Sequence, residues 1–262
     1  MVSIHPTAIV SPGAQLGADV VIGPFSVLED NVRVGDGCTL AEHVVIRAHT
    51  TLGAHCRVDR GATLGGEAQH LRAQSRDGAV EIGDHNIIRE FVTIHRASHD
   101  GGATRVGHHN FLMAFTHLGH DVTVGNHTSL ANLVSVGGHA VIQDRAVLGG
   151  TVAVHQWATV GEMAMVGGMT GVNKDVPPFS LFEGVPGEVK GLNTVGLRRN
   201  GIDAETRATI KKALRLLYLS KRNRALALAE VERELPLCPE LERLLAFVKA
   251  TQHGRNGRQL EH

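Results

Sequence analysis

Residues 106–172, VGHHNFLMAFTHLGHDVTVGNHTSLANLVSVGGHAVIQDRAVLGGTVAVHQWATVGEMAMVGGMTGV, carry an aliphatic side chain at every sixth position. The series is Val106, Leu112, Leu118, Val124, Leu130, Val136, Ile142, Leu148, Val154, Val160, Val166 and Val172. Working outward, the same frame occupies Ile82, Ile88 and Ile94, and runs unbroken from Ile4 through Val10, Leu16, Ile22, Leu28, Val34, Leu40, Ile46, Leu52 and Val58 to Leu64. Two residues before each aliphatic position stands a small side chain, such as Ala8, Ala14, Ser26, Cys38 or Thr50; Asn86 and Asn110 are the exceptions. Glycine often follows the aliphatic residue, as at Gly17, Gly23, Gly35 and Gly53.

Period six belongs neither to a helix nor to a plain strand. It fits a short strand followed by a tight corner, with glycine relaxing the corner. Three hexads close one triangular coil, and stacked coils pair as parallel strands about 4.8 Å apart. The expected fold is therefore mainly β: a left-handed parallel β-helix of hexapeptide repeats over 1–190. Polar residues fall on the aliphatic slot at His70, Arg76 and Asp100, so loops are expected near 65–79 and 96–103, on the functional side of the solenoid. Cys38 and Cys56, both in the small-residue slot, read as core. Past Asp175-Val176-Pro177-Pro178 the period changes. Ile210, Ala213, Leu214 and Leu217 follow Asp203, a helix N-cap by type, at helical spacing. Helices are also expected over 230–234 and 240–249. A small C-terminal α-helical domain, 191–262, would cover the open sheet edge.

Composition narrows the function. Lys+Arg and Asp+Glu each number 26, which argues against nucleic acid as a partner. Aromatic residues make up 3% and Gly numbers 31, as suits a thin repetitive sheet. No stretch approaches the ~20 apolar residues of a membrane span. The N-terminus lacks a signal-peptide pattern, and Cys38, Cys56 and Cys238 are too few for a disulfide framework, so a cytoplasmic location is expected. Leu260-Glu261-His262 resembles a vector scar and is set apart from the fold.

The segment Thr116-His117-Leu118-Gly119-His120-Asp121 is unusually rich in titratable groups. With an 18-residue coil, His120 stacks beside Gly138 and then Gln156, and Asp121 beside His139, while Gly119 and Gly137 lie beneath His155. A neutral His120 would take a proton from a hydroxyl, Asp121 would orient the ring, and the Gly138 amide would meet an oxyanion. No enzyme nucleophile, cofactor or metal is required. His85, His108, His109 and His127 read as surface residues. A zinc site resembling that of hexapeptide-fold carbonic anhydrases would lack its third ligand, because the spacing here is His-x2-His.

Ile87-Ile88-Arg89-Glu90-Phe91-Val92-Thr93-Ile94-His95-Arg96 and His117-Leu118-Gly119-His120-Asp121 resemble signatures of the UDP-N-acetylglucosamine O-acyltransferase family of lipid A synthesis. Gly137-Gly138-His139, Val154-His155-Gln156, the Asp175 to Pro178 run and Gly196-Leu197-Arg198-Arg199 are similar to its later motifs. The likeness covers essentially the whole chain. It implies transfer of a 3-hydroxyacyl chain from acyl carrier protein to the 3-position of UDP-N-acetylglucosamine by a homotrimer with sites between adjacent prisms. It further implies that His120 is the base, Asp121 its partner and Gly138 the oxyanion donor. Gln69, His70, Arg72, His95, His117, His139, His155 and Gln156 would position substrates, Asn193 and Arg199 would contact the nucleotide, and Gly168 would end the acyl tunnel. The chain departs from the family at Gln69-His70-Leu71-Arg72-Ala73, where the pattern is Gln-Asp-Leu-Lys-Tyr. It departs again at Ser75 to Gly78, where Gly-Glu-Pro-Thr is absent, and at Val195 and Asn200, which stand for Glu and Arg. These acceptor-side changes keep open a 3-amino UDP-sugar acceptor or related N-acyltransfer; a third reading, from another class, is a non-catalytic or metal-dependent β-helix scaffold.

Overall fold

The computed structural model describes residues 1–73, 75–220 and 222–262. Ser3 to Val172 wind as short strands, most of two residues, into a left-handed parallel β-helix with three flat faces. Among the described residues the first sheet has 11 strands, the second nine and the third eight. The corners between first and second, second and third, and third and first sheets are here the first, second and third corners.

Registry is strict. Ile22 pairs with Leu40 and Leu40 with Val58, eighteen residues apart each time. Val58 pairs with Ile88 and Ile88 with Leu112, so two excursions add twelve and six residues without breaking the frame. Both leave from the second corner, 67–78 after strand Thr63–Gly66 and 96–102 after strand Thr93–His95. From Ile22 on, the aliphatic series is buried, with Leu28, Ile46, Val58, Leu64, Ile94 and Leu118 at 0% exposure. Cys38 and Cys56 are free and lie in this core. Of the two asparagines in the small-residue slot, Asn86 is satisfied internally at both ends of its amide, whereas Asn110 accepts through Oδ1 from the Thr128 amide and hydroxyl and its buried Nδ2 has no partner among the described residues. Asn86 Nδ2 donates to the Gly83 and Gly107 carbonyls at 2.7 and 2.8 Å, and Asn86 Oδ1 accepts from the Asn110 amide at 2.8 Å.

The corners correct the expected role of glycine. The left-handed backbone conformation falls two residues beyond the glycine slot and is mostly held by other residues, including Asp19, Phe25, His55, Phe91, Asp121 and His139. The glycines answer a spacing demand instead: a Cβ on Gly23 or Gly35 would stand 2.6 Å from backbone of the next coil.

Beyond the last coil, strands Ser180–Gly184 and Gly187–Leu192 form a hairpin on the first sheet. The β-structure therefore extends two residues past the expected boundary at 190, because the returning strand completes its pairing there. Among the described residues four helices follow: α1 Thr194–Arg199, α2 Ala204–Leu214, α3 Arg224–Glu234 and α4 Pro239–His253, with a π-helical turn over Arg215–Leu219. Asp203 caps α2 by accepting from the Thr206 amide. Ile210, Leu214, Val231, Leu241 and Leu244 pack with Phe179 and Met163 over the end of the solenoid. Asp175 ties the parts together, accepting from the Thr159 and Gln259 amides at 2.8 Å. The C-terminal residues are drawn into this packing, since Glu261 pairs with Arg258, which in turn donates to the Asn173 carbonyl. None of the described helices is long and apolar enough to cross a membrane.

Truncating one inward leucine removes packing that neighbouring coils share. Leu40→Ala is expected to cost about 2–5 kcal/mol in denaturant unfolding. A loss under about 1 kcal/mol would show that the interior ladder does not hold the coils.

Candidate active site

The second corner gathers the titratable residues. Strand His117–Leu118 ends there, and the next three residues, Gly119, His120 and Asp121, turn the corner. His120 is 9% exposed. Its Nδ1 lies 2.8 Å from Asp121 Oδ2, so the ring donates to the carboxylate and turns Nε2 outward. Gly138 sits one coil on. A Cβ there would stand 2.6 Å from His120 Cε1 and 2.7 Å from Nε2, so only glycine leaves the ring its place.

The Gly138 amide differs from several counterparts at the third corner. At the third corner, the equivalent amides of Ala18, Ala54 and Asn126 each donate to an aspartate of the next coil, at 2.7–2.8 Å. The Gly138 amide has no hydrogen-bond acceptor among the described residues. A donor left bare beside an imidazole suits a developing oxyanion.

Further rings surround the pair. His139 is perpendicular to His120 at 5.1 Å between centroids and stacks flat on Trp157 at 3.9 Å. His70, from the 67–78 excursion, meets the His120 ring edge-on at 5.4 Å. On the adjoining second sheet, His117 Nδ1 is 2.9 Å from Thr93 Oγ1, and its ring lies 5.1 Å from that of His95. His155 and Gln156 are exposed one coil beyond Gly138. A cleft of about 330 Å³ opens beside His70, lined also by Glu67, Ala68, Ala73, Ser75 and Arg96. Gln69 and Arg72 are exposed on the same excursion.

Burial raises the Asp121 carboxyl's affinity for a proton. Hydrogen bonds from Ser98 Oγ, His120 and the Ser98 amide outweigh it, and the group is held below the usual carboxylate range. Burial, reinforced by His95, depresses the pKa of His117; burial also depresses that of His139, although Asp121 opposes the shift.

The spacing argument against a metal counted ligands on one coil; the fold supplies another donor from the next. Ligand atoms of His120, Asp121 and His139 all lie within 4.8 Å of one another. Asp121 Oδ2, however, already accepts from His120 Nδ1, Ser98 Oγ and the Ser98 amide, which an ion would have to displace.

Three expected residues lie elsewhere on the chain. Asn193 caps α1, accepting from the Gly196 amide at 3.0 Å and donating to the Met163 carbonyl at 2.8 Å, so both ends of its amide are engaged at the third corner. Arg199 is exposed at the end of α1. Gly168 is at the first corner, three coils beyond His120 and next to Met169, which is 77% exposed. His55, His85, His109 and His127 form a stacked ladder along the third corner, with centroids 4.8–5.0 Å apart, away from the His120 corner. Sequence reading missed Ser98, His99 and Trp157. The first two lie in an excursion with no repeat to place them, whereas Trp157 was reachable by the 18-residue step from His139.

Comparison with known proteins is consistent across the chain. A family model described as UDP N-acetylglucosamine O-acyltransferase, domain 2, matches residues 175–256, and one described as bacterial transferase hexapeptide (six repeats) matches 13–48. The acyl-[acyl-carrier-protein]–UDP-N-acetylglucosamine O-acyltransferase of Sulfurihydrogenibium sp. (strain YO3AOP1) is 56% identical over 255 residues, 97% of this chain and 94% of that protein. That of Trichlorobacter lovleyi is 48% identical over 256 residues, 96% and 98% of the two chains. Among solved structures, LpxA of Bacteroides fragilis, a UDP-N-acetylglucosamine acyltransferase, superposes with a TM-score of 0.92 at 35% identity, covering 94% of this chain and 96% of that one. LpxA from Acinetobacter baumannii gives 0.90 at 34%, with the same coverage.

A histidine whose folded pKa is depressed binds protons more weakly than in the unfolded chain. It therefore destabilises the fold as pH falls below the unfolded value of about 6.5. Melting temperature is expected to decline between about pH 7 and 5, and to decline less in a His117→Asn/His139→Asn double variant. An equal decline in the variant would assign the acid sensitivity to other groups.

Proposed function

The chain belongs to the acyl-[acyl-carrier-protein]–UDP-N-acetylglucosamine O-acyltransferase family and is an acyltransferase, and from this we propose that it moves a 3-hydroxyacyl chain from acyl carrier protein to the 3-hydroxyl of UDP-N-acetylglucosamine, in the first step of lipid A synthesis. The observation that carries the mechanism is the His120 ring fixed between Asp121 Oδ2 and the Gly138 backbone.

In this reading His120 Nε2 removes the proton from the sugar 3-hydroxyl as that oxygen attacks the thioester carbonyl. Asp121 supports the imidazolium that forms. The Gly138 amide donates to the tetrahedral oxyanion. Collapse breaks the carbon–sulfur bond, and His120 returns its proton to the departing carrier thiolate. The products are the ester and the free carrier thiol, with no covalent enzyme intermediate. Gln69, Arg72, His95, His117, His139, His155 and Gln156 are assigned to holding sugar, phosphates and acyl chain, in the cytoplasm.

A homotrimer fits the same reading. A convex prism offers little enclosure, and Phe91, Phe115, Leu133 and Met169 expose 43–77% of their surface along the first corner. Such an apolar column favours a second copy of the chain as its cover. A neighbouring prism would then bring Gly168, Asn193 and Arg199 towards a site that they do not reach within one chain.

His70 against His120 favours a second reading, with a 3-amino UDP-sugar as acceptor. An imidazole, unlike a carboxylate, does not hold an amine in its unreactive charged form. Assays of both UDP-sugars with one acyl carrier donor decide between them: a strong preference for the 3-hydroxyl sugar rejects the second reading.

His120→Ala is expected to lower kcat by about 10²–10⁴-fold with the oligomer unchanged. Retained activity would remove the general base. Gly138→Ala should cost about 100-fold with little loss of melting temperature, since its methyl group must displace the imidazole. Full activity in that variant would show that the ring need not stand there.

A further inference from the structure

Asp121 does not hold its position by itself. Its side chain is only 7% exposed, and its Oδ2 accepts three donors: His120 Nδ1 at 2.8 Å, Ser98 Oγ at 2.7 Å and the Ser98 amide at 3.1 Å. Oδ1 takes no hydrogen bond among the described residues. His99 Nδ1 stands 3.2 Å from it, out of line, and His139 Nε2 is 3.6 Å from Oδ2. Apart from His120, Ser98 is thus the residue that donates to this carboxylate among those described.

Ser98 belongs to the 96–102 excursion, one coil before Asp121, yet it is well anchored. The Arg96 amide donates to the Gly66 carbonyl at 2.8 Å, the Ala97 amide donates to Ala79 at 3.3 Å, and Ala97 is fully buried. The Asp121 amide in turn donates to Oγ1 of buried Thr104 at 2.8 Å. Both partners of the Ser98–Asp121 contact are therefore held from behind.

The geometry matters for proton transfer. A carboxylate facing Nδ1 fixes the tautomer with its proton on Nδ1 and a lone pair on Nε2. Two donors from one residue on a single carboxylate oxygen restrain the rotation that would break that alignment. We propose that Ser98 is a positioning residue of the transfer reaction, fixing Asp121 against His120 Nδ1 so that His120 Nε2 faces the acceptor as a base. The inference rests on the reading of His120 as general base. It makes the 96–102 excursion part of the reacting corner.

The test uses the full chain and its steady-state kinetics. Ser98→Ala is expected to lower kcat about 10- to 100-fold while the KM for sugar nucleotide and acyl carrier each stay within about threefold. Ser98→Thr, which keeps the hydroxyl, should recover kcat to within about threefold of the parent. Because Ser98 acts through Asp121, Ser98→Ala in an Asp121→Ala background should slow the enzyme by no more than about twofold further. Should Ser98→Ala melt early, Ser98→Cys keeps the volume with a weak donor and carries the same expectation. Unchanged kcat in Ser98→Ala, additive losses in the double variant, or failure of threonine to rescue would each overturn the inference. If His120→Ala remained active, the general-base reading itself would fail. If that variant were inactive and Ser98→Ala fully active, only the role of Ser98 would fall.

Discussion

Each coil is bonded to the next residue for residue at an interval of eighteen, and the rest of the molecule depends on that register. Backbone amides donate across every rung, from Val21 to Cys38 and on to Ala153 with Thr170. A slip of one residue would turn the aliphatic ladder out to solvent, so the buried series keeps the register single-valued. The same register has a cost at the corners. Left-handed conformations at non-glycine residues such as Phe25 and His139 are unfavourable by roughly 1–2 kcal/mol each. They persist because the parallel ladder and the packed interior on either side leave the chain no other route.

Stacking also explains why chemistry gathers at one corner. Strands of two residues place most of their polar atoms in the ladder, so unused backbone donors occur at the turns. At the third corner aspartates of the following coil cap these donors. At the second corner the column passes through Gly138, which offers the amide of the preceding coil no side chain and leaves its own amide open. Both excursions leave from this corner, and they bring His70 and Ser98 to His120 and Asp121. A solenoid is flat-sided; local excursions are how such a fold builds walls around a group that must be partly shielded from water.

The helical domain closes the end of the ladder and protects its last edge. Asp175 shows how firmly. It is buried, and burial raises its carboxyl above the ordinary range against the pull of its hydrogen bonds to the Gln259 and Thr159 amides, to Thr251 and of the nearby Arg258 charge. One carboxylate thereby joins the final coil, α4 and the C-terminal segment.

Much of this was legible in the sequence. The hexad fixed the interior from Ile22 to Val172, and the eighteen-residue step correctly set Gly138 against His120 and His139 near Asp121, because hydrogen-bonded stacking converts sequence separation into distance. Three matters were decided only by the tertiary structure. Glycine after the aliphatic residue proved to serve coil spacing, since a Cβ's contact with the next coil is invisible along the chain. Ser98 reached the site through an excursion whose path no repeat encodes. Gly168 proved to lie at the first corner, Asn193 against the third and Arg199 at the end of α1, because motif likeness carries residue types but not the place they occupy in the fold. Periodic sequence determines what lies directly above what; where the chain leaves the period, only packing determines what it meets.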